Sequence, residues 1–120
     1  MKTLLSVLLT VLLTASAAVA QQAPAKGAKS TQQLQVKTSA VCDMCKARLE
    51  KSLAYEKGVQ GVVLDVPSQM LTVTFRPDKT TPEALRTAVQ RTGYDADAQP
   101  ADTRAYDRLP DCCKKTNAVH

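Results

Sequence analysis

Between Leu34 and Ala98 the apolar side chains recur at every second residue, then at every fourth, then at every second again, and the cycle repeats. Few folds tolerate this alternation. Period two buries one face of a strand, and a period near 3.6 buries one stripe of a helix. Leu34, Val36 and Thr38 alternate with Gln35 and Lys37, as in a strand. Cys45, Leu49 and Leu53 share one face of a helix expected from about Asp43 to about Glu56, with Gly58 as its C-cap. Val62, Leu64 and Val66 mark a strand over 59–66, and Leu71, Val73 and Phe75 mark another over 71–75. Pro67-Ser68-Gln69 between them makes the turn of a hairpin. Thr80 or Thr81 caps a second helix, with Pro82 in its first turn and Gly93 at its end. Tyr94, Ala96 and Ala98 alternate with Asp95 and Asp97, a pattern suited to a sheet edge.

The order strand, helix, strand, strand, helix, strand predicts an α+β fold. Right-handed crossovers turn it into a ferredoxin-like βαββαβ sandwich, a four-stranded antiparallel sheet with two helices on one face. Residues 1–20 read as a secretory signal peptide: Lys2, an apolar run from Leu4 to Leu13, and Ala18-Val19-Ala20 before a cleavage point near Ala20-Gln21. That run is shorter than the roughly 20 residues a bilayer requires, so no membrane insertion is expected after cleavage. Residues 21–32 are a disordered leader, 33–100 the domain and 101–120 a cysteine-containing tail.

The formal charge is +5, with no Trp and a single Phe. Its basic residues are dispersed, so no nucleic-acid partner is expected. Export to the periplasm places the four cysteines in an oxidising compartment. There is no nucleophile elbow, phosphate loop or placed carboxylate pair, which argues against an enzyme.

Cys42 and Cys45 fall where the first helix begins. Unpaired N–H groups and the positive end of the helix dipole there favour thiolate over thiol. Lys46 adds a cation nearby. Soft thiolates select Cu(I), Hg(II), Zn(II) or Cd(II) over hard ions. Two sulfurs leave a Zn(II) shell incomplete but suffice for linear Cu(I) or Hg(II). Asp43, between the ligands, either offers an oxygen to a harder ion or is an exposed acid favoured at a helix N-terminus.

Leu34-Gln35-Val36, Cys42-Asp43-Met44-Cys45, Leu49, Leu53, Gly58-Val59, Leu71-Thr72-Val73-Thr74-Phe75, Leu85 and Thr92-Gly93-Tyr94 together resemble the heavy-metal-associated (HMA) domain over residues 33–99. Exported copper chaperones and the periplasmic mercuric-ion binding protein belong to that family. The resemblance implies that Cys42 and Cys45 are the metal ligands and that Tyr94 shields the ion beside them. It implies a mostly monomeric carrier of Cu(I), or of Hg(II), that hands its ion by ligand exchange to a metal-transporting membrane protein or another metal carrier. Ser39-Ala40-Val41 departs from the Gly-Met-Thr or Gly-Met-Ser usual before the first cysteine.

The tail carries Cys112 and Cys113 after Pro110. Adjacent cysteines rarely bond to each other. They join the Cys42–Cys45 site as additional ligands, form disulfides to it or to another chain, or act as a separate mobile arm. His120 is the sole histidine and is expected to fray. Two rival functions remain from the same residues. One is a thiol–disulfide oxidoreductase using the CxxC pair, and the other is a disulfide-stapled binding domain.

Overall fold

The computed structural model describes residues 30–120. The expected signal peptide, and the leader as far as residue 29, lie outside the described residues. The elements are β1 (Gln32–Lys37), α1 (Asp43–Ala54), β2 (Val59–Asp65), β3 (Met70–Phe75), α2 (Pro82–Thr92), a short α3 (Thr103–Asp107) and a 3-10 turn at Asp111–Cys113.

The strands form one antiparallel sheet in the order β1-β3-β2. The register lines up Val36, Leu71 and Leu64 in one row and Leu34, Val73 and Val62 in the next. These rows make the apolar face that both helices cover. A bulge between Val59 and Gly61 brings Val59 opposite Phe75. Val59 is out of phase with Val62 and Leu64, and the extra residue restores it to the inner face.

α1 buries Cys45, Leu49 and Leu53, and α2 buries Leu85, Ala88 and Val89. The Thr81 side chain caps α2 by accepting from the Ala84 N–H at 3.1 Å, the arrangement that Thr-Pro-Glu predicts. α2 closes at Gly93, φ 109°. α1 ends sooner than its apolar stripe suggests, with Tyr55 rather than Gly58 at the C-cap. Glu50 binds α1 to the exposed edge of β2. Its carboxylate accepts from the Leu64 N–H at 2.9 Å, while Lys46 donates to the Leu64 carbonyl at 2.9 Å and pairs with Glu50.

The expected fourth strand does not form. Ala96 makes one isolated bridge to Thr38, and the chain then reverses so that Ala96 and Gln99 pair with each other. Asp97 is the cause. It adopts a left-handed φ of 52°, its N–H donates to the Lys37 carbonyl at 2.8 Å, and its carboxylate accepts from the Lys37 N–H at 2.9 Å. One turn residue thereby satisfies both backbone polar groups of Lys37 at the end of β1, where a strand would otherwise pair. The described sheet therefore has three strands, with the rest of the ferredoxin-like frame in place.

The tail is ordered against the same core. Leu109 and Cys113 are buried in it, and Tyr106 packs beside them. A Cβ on Gly93 would stand 3.0 Å from the Ala105 carbonyl oxygen and 3.1 Å from Leu109 Cδ2. Glycine at that position is thus required both by backbone conformation and by the close approach of the tail. Lys115 pairs with Asp95 at 3.1 Å, and Lys114 lies 4.4 Å from the Tyr106 ring centre.

Candidate metal centre

The loop from β1 to α1 is held before it reaches the cysteines. The Thr38 hydroxyl donates to the Gln69 carbonyl at 2.9 Å and accepts from the Ala40 N–H at 3.2 Å. The Gln69 amide donates back to the Ala40 carbonyl at 2.9 Å. Gln69 adopts a φ of 61° in the β2–β3 turn. Thr38 and Gln69 therefore set where Val41 and Cys42 stand. Neither is visible as a site residue in the spacing, because a strand-end threonine and a turn glutamine carry no metal chemistry of their own.

Cys42 is the extended residue at the N-cap of α1, and no side chain caps that helix. Cys45 follows in the first turn. Their sulfurs are 3.2 Å apart. Cys113 brings its sulfur to 3.8 Å from that of Cys42, and the sulfurs of Cys42, Cys112 and Cys113 all lie within 4.8 Å of one another. Cys42, Cys45 and Cys113 are buried, whereas Cys112 is exposed. The thiol of Cys112 is 3.8 Å from the thioether of Met44, which is itself half exposed. Tail and CxxC thus share one cluster of sulfur.

The thiols do not ionise alike. Burial acts to raise the pKa of Cys45, but the Val41 N–H, the Tyr94 hydroxyl and the thiols of Cys42 and Cys113 outweigh it and draw it down. Burial pushes Cys42 up. Burial, followed by the neighbouring Cys45 and Cys42, pushes Cys113 up well beyond the thiol range. Within the cluster Cys45 therefore ionises more readily than Cys42 or Cys113.

Tyr94 lies fully buried against this group. Its hydroxyl lies beside Cys45 and Cys113 but completes no hydrogen bond. Burial and then the adjacent Cys45 sulfur push its ionisation far above the tyrosine range. A buried donor without a partner is costly, and this one stands beside the Cys45 sulfur, whose ionisation it favours. Asp43 is exposed on the first turn of α1. The Lys46 ammonium is held by Glu50 and the Leu64 carbonyl, so its bonds go to the edge of β2 and not to sulfur. His120 is anchored by its backbone, its N–H donating to the Val41 carbonyl at 2.8 Å. Beside Met44 a groove of about 620 Å³ runs along α1, lined by Arg48, Lys51, Ser52, Tyr55 and Thr92.

Buried thiols gathered at a helix N-terminus, on a three-stranded sheet covered by two helices, define a metal-binding domain and not an enzyme. Residues 31–95 match the heavy-metal-associated domain family, and the chain belongs to that family. Over 59 residues it is 34% identical to a copper-exporting P-type ATPase of Staphylococcus aureus (strain JH9), a match that covers 49% of this chain and 7% of that protein. The chain thus spans a small part of that relative's length. Among solved structures it resembles a CopZ metallochaperone, with a TM-score of 0.53 at 21% identity, over 54% of this chain and 98% of that one. It likewise resembles oxidised MerP from Ralstonia metallidurans CH34, with a TM-score of 0.54 at 25% identity, over 57% of this chain and 96% of that one.

Proposed function

We propose that this protein is a periplasmic carrier of a soft metal ion, Cu(I) first and Hg(II) second. It takes the ion at Cys42 and Cys45 and yields it by ligand exchange to a metal-transporting membrane protein or to another carrier. The observation that carries this reading is the 3.2 Å approach of the two sulfurs at the start of α1. An all-sulfur donor set prefers Cu(I) and Hg(II) to hard ions, and binding releases the protons that the paired thiols hold. The copper-exporting relative and MerP, which is described in its mercury-bound form as the periplasmic protein of the bacterial mercury detoxification system, support the same two ions. The apolar leader of residues 4–13 supports export. Among the described residues no helix is long and apolar enough to cross a membrane. The depth of Cys42 and Cys45 speaks against an oxidoreductase, whose attacking sulfur must be open to its substrate.

Anaerobic titration of the reduced full chain with Cu(I), Hg(II) and Zn(II), each against a competing chelator, tests the proposal. Tight binding of the first two, weakened at least a hundredfold in Cys42→Ser, is the expected result. Failure of every soft ion to bind sinks it. Amino-terminal sequencing of the protein recovered from periplasm should begin at Gln21.

A further inference from the structure

A carrier must exchange its ion with other molecules, yet Cys42, Cys45 and Cys113 have relative exposures of only 5%, 0% and 1%. Of the described cysteines only Cys112 is exposed. Its sulfur lies within 4.8 Å of both Cys42 and Cys113, and it touches the half-exposed thioether of Met44 at 3.8 Å. Sulfur atoms therefore run without a break from the surface to the base of the site. Sulfurs held about 2.3 Å from a three-coordinate ion lie about 4 Å apart. The outer set of Cys42, Cys112 and Cys113 is close to that spacing, and the fully buried Cys45 touches Cys42 from the inner side at 3.2 Å.

We propose that the four cysteines form a two-position relay, in which Cys42 and Cys113 hold the ion throughout while Cys112 binds it at the surface and Cys45 binds it at depth. The proposal rests on the carrier reading above and adds to it a third ligand and a route of entry. Inward transfer forms one metal–sulfur bond, to Cys45, and breaks one, to Cys112. The Cys45 thiol gives up its proton as it binds, and the departing Cys112 thiolate takes that proton up. The oxidation state of the metal does not change. The donor that loads Cys112 is a thiolate complex of the ion, whose own thiolate leaves and is reprotonated. Keeping two of three ligands at every step avoids the cost of a bare soft ion in an apolar site.

The test loads the reduced full chain with Cu(I) presented as a small-thiol complex, following both rate and equilibrium affinity. Cys112→Ser is at the surface and should fold normally. We expect it to slow loading at least tenfold while lowering affinity less than threefold. Cys113→Ala preserves a small apolar side chain in the core. It should lower affinity at least tenfold and reduce the metal–sulfur coordination seen by X-ray absorption from three sulfurs to two. Loading of Cys112→Ser at the native rate overturns the relay, as does an affinity loss equal to that of Cys113→Ala, which instead marks a static four-sulfur site. Native affinity in Cys113→Ala overturns the shared ligand. Each of these results leaves the carrier reading standing, whereas that reading fails only if the native chain binds no ion.

Discussion

The amide of His120 donates to the carbonyl of Val41 at 2.8 Å, linking the tail to the residue that precedes Cys42. Val41 also bears on the thiols directly, since its backbone N–H helps to lower the pKa of Cys45. The loop, the helix N-terminus and the tail thus meet at one residue. Movement of the tail is thereby tied to the conformation of the thiol pair.

Tyr94→Phe removes a buried hydroxyl that lacks a partner. Deleting an unsatisfied group costs little, so the metal-free variant should match the native protein in stability or exceed it by up to about 1 kcal/mol. Denaturant unfolding of the metal-free form measures this. The same change withdraws one of the influences that lower Cys45, so thiolate absorbance should rise at a higher pH than in the native chain. A loss of more than about 2 kcal/mol would show that the hydroxyl has a partner after all.

Thr38→Val keeps shape but removes the hydroxyl that serves Ala40 and Gln69. Leaving the buried Ala40 N–H unpaired should cost about 1–2 kcal/mol. The loop from β1 to α1 should also loosen, with faster amide exchange at Ala40 and Val41 than in the native protein. Unaltered exchange there would mean that Gln69 alone fixes the loop.

Leu109→Ala tests whether the tail belongs to the core. A leucine buried to this degree contributes about 2–3 kcal/mol through transfer and cavity terms, and the loss should appear as one cooperative unfolding transition. A change below about 0.5 kcal/mol, the level of a surface substitution, would place the tail outside the folding unit.

Glu50 supplies a pH signature away from the thiols. Burial acts to raise its pKa, but Lys46 and the Leu64 N–H outweigh it and hold the carboxyl below its ordinary value of 4.5. Its stabilisation is therefore present above about pH 4.5 and is lost as pH falls through the lowered folded value. Glu50→Gln should be less stable by about 1 kcal/mol near neutrality. The two stability curves should converge under acid. Parallel curves down to pH 2 would disprove the linkage.

Local pattern was enough to read both helices, three strands, the hairpin and the Thr81-Pro82 cap, because period, caps and turn chemistry act over a few residues. It also put Cys42 and Cys45 at a helix N-terminus. Other features depend on partners distant in the chain. Alternation at Tyr94 to Ala98 favours a strand, but Asp97 bonds across to Lys37 and turns the chain instead. Lys46 reads as a neighbour of the thiols, yet Glu50 and Leu64 claim its ammonium.

The sequence by itself determined that a pair of cysteines would open the first helix of an HMA domain, since residue type and spacing are sufficient for that. Only the tertiary structure decided that Cys112 and Cys113 return to the same place. No period relates residue 113 to residue 42. Their 3.8 Å approach comes from Leu109 entering the core beside Gly93, from Lys115 reaching Asp95 and from His120 binding Val41, contacts that exist only once the rest of the chain has folded beneath them.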